Sequence, residues 1–183
     1  GSSAMFTVFT YIAPILREET EASTAFVTGM LVTYGIGLTL GNWLGGKFAD
    51  KSVDRTLVFT LAGLSLVLLA FAWLMPLKAP TSLLVFLWGV ASFALVPPLQ
   101  VRVMQAAHDA PNLASAVNIG AFNLGNAIGA ALGGAVIAGG LGYPAVAISG
   151  ALMASLGLIA VLLSRPQSHA AALAAGAGPD RTP

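Results

Sequence analysis

The sequence predicts an all-α membrane protein with six transmembrane helices. Three observations predict it. Charge is scarce: 8% of the 183 residues are Asp, Glu, Lys or Arg, and the mean hydropathy is +0.86. A soluble domain carries about 25% charged residues, and so few could not cover the surface of a globule in water. Apolar runs near the ~20 residues that cross a bilayer recur between short polar loops. Finally, residues 113–137 carry no charge, yet small residues return every fourth place at Ala121, Gly125, Gly129 and Gly133, with Asn118, Asn123 and Asn126 among them. In water each such glycine costs a helix about 1 kcal/mol against alanine. In a bilayer the backbone must satisfy itself as helix, and small residues let two helices approach closely.

The first apolar run, residues 2–16, ends in YIAPIL. At about 15 residues it is short for a span, as one clipped at its front would be. No basic stretch precedes it and no cleavage pattern is evident, so no signal peptide is expected. The loop REETEAS holds three glutamates and Arg17. The second run, 24–46, carries Gly37, Gly41 and Gly45, again at every fourth position. The most charged segment follows, KFADKSVDR, residues 47–55. The third run, 56–75, ends at PLKAP, whose two prolines stop helices on both sides. The fourth, 81–100, has Pro97 and Pro98 near its end, where they break or bend it, as Pro14 does in the first. The fifth is 113–138, and GGLGYP turns the chain into the sixth, 143–164. The first span, at about 1–16, completes a single six-helix unit over residues 1–165. The tail, 166–183, lacks any sustained pattern and is expected to be disordered in the cytoplasm.

Lysine and arginine set the orientation. Lys47, Lys51, Arg55, Arg102 and Arg165 fall at one set of helix ends, and Arg17 and Lys78 at the other. The first set, and both termini with it, is expected in the cytoplasm. Runs one to three and four to six each have a glycine stripe in the middle run. Because three crossings are an odd number, the second triplet enters from the opposite side. The expected architecture is therefore two inverted three-helix repeats.

Several function classes are excluded. The chain has no cysteine, so disulfides, thiolate catalysis and cysteine-ligated metals are out. His108 and His169 have no ligand companion at useful spacing, and no metal is expected. No Ser/His/Asp set, Walker loop or dinucleotide fingerprint is present, so neither an enzyme nor a cofactor is expected. A net charge of +1 without a basic, aromatic-laced patch argues against nucleic acid. The expected partner is the lipid bilayer.

The segment GGKFADKSVDR resembles the signature loop of the major facilitator superfamily, Gly-x-x-x-Asp-Arg/Lys-x-Gly-Arg/Lys-Arg/Lys. Gly46, Asp50, Lys51 and Arg55 match it, whereas Val53 and Asp54 replace a glycine and a basic residue. YIAPIL, PPLQVRV, APNLASAVNI and AFNLGNAIGAALGG look like the drug/proton antiporter branch, near the arabinose efflux permeases. The resemblance covers residues 1 to about 165 and is to the second half of a twelve-helix fold. It implies efflux of a small sugar-like or drug-like solute by alternating access, in the inner membrane, together with an N-terminal six-helix half. Other expectations for such a unit are a non-transporting membrane subunit or a half that pairs with itself. A passive pore would need charged rings or a carbonyl filter, and the sequence offers neither.

The candidate residues follow from this. At about 100° per residue, Asn126 and Asn123 lie about 80° and 140° around the fifth helix from Asn118, flanking the stripe. They are candidates for the substrate cavity, with Tyr11 and Gln100; the alternative for the asparagines is bonding to neighbouring helices. The resemblance places Gly37, Gly41, Gly45, Ala121, Gly125, Gly129 and Gly133 at the seam between halves. Packing within this half is the alternative. Gly46, Asp50, Lys51 and Arg55 form a gating loop by resemblance, or a solvated topogenic cluster otherwise. No ionisable residue lies deep in any span. If protons drive transport, their carrier is expected in the other half.

Overall fold

The computed structural model describes residues 1–107 and 110–164. Arg165, the tail 166–183 and both histidines lie outside the described residues. Among those described, the chain is entirely helical, in eight segments. These are α1 (Ser2–Phe9), α2 (Ile12–Glu18), α3 (Thr24–Ala49), α4 (Val53–Leu74), α5 (Lys78–Ala94), α6 (Val96–Ala106), α7 (Pro111–Ala138) and α8 (Gly142–Leu163).

Prolines account for the two extra segments. Pro14 has no N–H to offer the Thr10 carbonyl four residues back, and its ring crowds that oxygen. The helix accordingly breaks at Thr10–Tyr11, and Tyr11 leaves helical dihedrals (φ −113°, ψ 10°). Pro97 and Pro98 do the same to Phe93 and Ala94, and α5 stops at Ala94. Leu95 keeps φ −77° and ψ −29°, so α5 and α6 run on as one bent span. Five helical stretches are long and apolar enough to cross a membrane: Thr24–Ala49, Val53–Leu74, Lys78–Ala106, Asn112–Ala138 and Gly142–Leu163. With 8 and 7 residues, α1 and α2 are not among them, against the six spans expected.

Local chemistry sets the other boundaries. Ser23 caps α3 by accepting from the Phe26 N–H at 3.3 Å, and Ser52 caps α4 by accepting from Arg55 at 3.4 Å. This starts α4 three residues before the expected position. The turn into α8 uses Gly140 and Gly142 at φ 73° and 77°, where a side chain would be strained.

The helices pack in three principal pairs: α3 on α5, α4 on α8 and α1 on α7, with α4 also on α5 and α1 on α8. At the centre, Trp88 packs tilted against Tyr34 and Phe9 and stacked on Phe71, with ring centroids 4.4 Å apart for Tyr34–Trp88. The pair α4–α8 is tied by Ser65, whose hydroxyl lies 2.8 Å from that of Ser155. One end of the bundle is closed by the Thr20 hydroxyl, which donates to the Met75 carbonyl at 2.6 Å, and by Tyr143, which donates to Glu18 at 2.9 Å. The outer face of α4 is bare and aromatic: Trp73 is 78% and Phe59 74% exposed. Such a surface suits hydrocarbon, not water.

Candidate functional site

The glycine stripe of α3 lies against backbone. A Cβ added at Gly37, Gly41 or Gly45 would run into the carbonyl oxygen of Phe86, Val90 or Ala94 on α5. Gly89 of α5 returns the contact against the Tyr34 carbonyl. Where the sequence put these glycines at a seam with a second half, the structure puts α5. The reason is reciprocal: small residues on both helices remove the side chains that would hold the backbones apart.

The stripe of α7 behaves alike. A Cβ at Gly125, Gly129 or Gly133 would meet Ser2, Ser3, or Thr7 and Tyr11. The close approach lets short side chains of α1 donate directly to α7 carbonyls: Ser2 to Phe122 at 3.1 Å and Ser3 to Gly125 at 2.8 Å. Tyr11, expected in a cavity, lays its ring on Gly133 and Gly134 and donates its hydroxyl to the Ala130 carbonyl at 3.0 Å. It therefore serves α1–α7 packing. Ala121 alone of the expected seam residues is exposed.

Polar groups on α7 divide into engaged and open. The Gln100 amide donates to the Ser115 hydroxyl at 2.8 Å and accepts from Asn118 at 2.7 Å, which locks α6 to α7. Gln100 was expected in the cavity; both ends of its amide are committed to this clamp. Asn123 is exposed. Asn126 is half-buried, and its Oδ1 is shielded without a hydrogen-bond partner among the described residues. A buried acceptor left unpaired is unfavourable, so it marks a place where a partner belongs.

At the charged end, Asp50, Lys51 and Arg55 are exposed, and a Cβ at Gly46 would meet nothing within 4 Å. An ion pair joins Asp54 to Arg102 at 3.5 Å, and Arg102 also donates to the Ser164 hydroxyl at 2.7 Å. Sequence reasoning missed this tie between α4, α6 and the end of α8. Asp54 had looked like the loss of a motif position, although an acid in the first turn of a helix is a natural partner for a facing arginine.

Both long helices keep an uncovered face. On α3 it carries Val32, Ile36 and Trp43, with open space at Gly29 and Gly35. On α7 it carries Leu113, Val117, Leu124 and Ile128, with open space at Gly120. α6 packs on both helices.

An all-helical bundle with apolar outer faces and five helical stretches long and apolar enough to cross a membrane is that of a multi-spanning membrane protein. The profile of the Major Facilitator Superfamily matches residues 1–181, and the chain belongs to that family. It is 53% identical over 164 residues to the inner membrane transport protein YdhP of Escherichia coli O157:H7, covering 90% of this chain and 42% of that protein. It is 31% identical to the putative transporter AraJ of Escherichia coli K12, covering 89% of this chain and 42% of AraJ. It is 32% identical to a probable sugar efflux transporter of Helicobacter pylori 26695, covering 89% of this chain and 41% of that protein. The chain thus spans about two fifths of the length of these curated relatives.

Proposed function

We propose that this chain is the second six-helix half of an inner-membrane efflux transporter, which exports a small sugar-like or drug-like solute by alternating access coupled to protons. Family membership, with relatives named as a sugar efflux transporter and as AraJ, is the observation that carries this. The six helices form two inverted repeats, α1 to α4 and α5 to α8. The crossed pairing supports it, since the first helix of each triplet packs on the middle helix of the other. So does the proline break near the C-terminal end of each first helix. The charged end with Lys47, Lys51, Arg55 and Arg102 faces the cytoplasm, as do both termini.

The uncovered faces of α3 and α7 meet an N-terminal half. Asn126 and Asn123 line the solute path, and the unpaired Asn126 Oδ1 accepts from solute or from the other half. Gly46, Asp50, Lys51 and Arg55 gate the cytoplasmic mouth by pairing across the seam in one state. Coupling protons are carried by an acidic group of the other half.

The test is counterflow of labelled pentoses, hexoses and amphiphilic drugs in liposomes carrying the full-length protein. Saturable exchange of one of them supports the carrier. Flux that rises without saturation, or no exchange of any, contradicts it.

A further inference from the structure

A groove of about 620 Å³ lies between α3, α4 and α5, away from the polar face of α7. Its lining changes character along its length. One end holds Lys51, Ser52 and Arg55; the remainder is almost wholly apolar, from Phe59 through Gly63 to Val67 on α4 and along α5. The two threonines in the lining do not make it polar. Thr56 donates back to the Ser52 carbonyl and Thr60 to the Thr56 carbonyl, both at 2.8 Å. Among the described residues no acidic side chain lines the groove, and Asp50, next to Lys51 in the chain, is exposed outside the lining. The neighbouring Asp54 is drawn to Arg102.

Depth matches a lipid leaflet. From Arg55 to Val67 the groove follows α4 for about 18 Å at 1.5 Å per residue. One leaflet's share of the hydrocarbon core is about 15 Å. The rim residue Phe59 is among the most exposed side chains of α4, so the groove opens sideways to the bilayer. Gly63 leaves room in the wall, with nothing within 4 Å of an added Cβ.

We infer that this groove binds one anionic phospholipid of the leaflet on the Lys51 side. The phosphate sits against Lys51 and Arg55, and one acyl chain lies along Phe59, Gly63 and Val67. A zwitterionic lipid fits the apolar part equally but brings a cation to a cationic mouth. Charge complementarity therefore selects a phosphatidylglycerol-like headgroup. The apolar groove is separate from the solute path, although its two cations are shared with the proposed gating loop, and lipid retention is read whether or not the chain transports sugars.

Native mass spectrometry of the full-length protein, released from detergent with phosphatidylglycerol or phosphatidylethanolamine added, reads this directly. One phosphatidylglycerol is expected to be retained in preference to phosphatidylethanolamine. At about 5-fold per basic charge near a membrane surface, Lys51→Gln with Arg55→Gln weakens retention about 30-fold. Gly63→Leu fills the groove and weakens both lipids. Lys47→Gln, at the same end but outside the groove, changes retention less than about 2-fold, a small step beside the 5-fold per charge. The charge variants alter exposed residues and carry the test should Gly63→Leu misfold. Equal retention of the two lipids, a loss from Lys47→Gln matching that from the groove cations, or unchanged binding in folded Gly63→Leu overturns the site.

Discussion

Gly41→Ala and Gly46→Ala form a matched pair on α3. In water each replacement favours the helix by about 1 kcal/mol, and in a bilayer, where helix is enforced, by less. The environments differ. At Gly41 the new methyl runs into the Val90 carbonyl oxygen, with the Val90 carbonyl carbon and Cα both at 2.9 Å; at Gly46 it meets nothing within 4 Å. The obstacle at Gly41 is backbone and cannot swing aside. Overpacking of this kind costs about 1–3 kcal/mol, so Gly41→Ala lowers stability by up to about 2–3 kcal/mol net. Gly46→Ala is neutral or stabilising. The assay is thermal unfolding of the detergent-solubilised full-length protein, followed by loss of the monodisperse peak. Equal melting temperatures for the two variants would refute the packing of this stripe on α5 and return it to a seam with the other half.

Three further outcomes are expected. Arg102→Met and Asp54→Asn each lower stability by about 0.2–1 kcal/mol, because both groups are partly exposed; the double variant loses no more than the sum, and added salt shrinks the difference in the same melting assay. Tyr11→Phe deletes the donor to the Ala130 carbonyl but keeps the ring on Gly133, so it loses about 0.6 kcal/mol by reversible unfolding in mixed micelles, and a loss beyond 2 kcal/mol contradicts the assignment. Asn126→Leu removes a shielded, unpaired oxygen; melting shows no loss of stability, whereas solute affinity in the counterflow assay falls up to about tenfold if that oxygen accepts from the solute.

The helical runs from Thr24 onward were legible because they rest on length, charge and proline, which act locally, whereas the expected first span is two short helices. The breaks at Tyr11 and Leu95 follow from Pro14, Pro97 and Pro98 alone. The faces were harder. A small residue every fourth place says that something comes close, and nothing in that spacing says which helix. Gly37, Gly41 and Gly45 are explained only once Gly89 and the carbonyls of α5 are seen opposite them. Tyr11 and Gln100 were misassigned for a related reason. A polar side chain in a span needs a partner, and the sequence cannot tell a substrate from a neighbouring carbonyl or amide. The serines at Ser2 and Ser3 carried a usable signal, since two adjacent hydroxyls in an apolar run can reach a glycine-lined helix only from very near. The Asp54–Arg102 pair joins positions 48 residues apart and had no local signature.

Cysteine labelling tests most directly whether α7 forms one wall of a transport path. This chain has no cysteine of its own, so single replacements report cleanly once any cysteine outside it is replaced by serine. With the full-length protein in membranes, Asn123→Cys is predicted to react with a water-soluble maleimide and to be slowed by transported solute. Leu66→Cys, on the bare outer face of α4, is predicted to stay unreactive in lipid. Equal silence at both positions, or labelling of Asn123→Cys that no solute alters, would contradict the account.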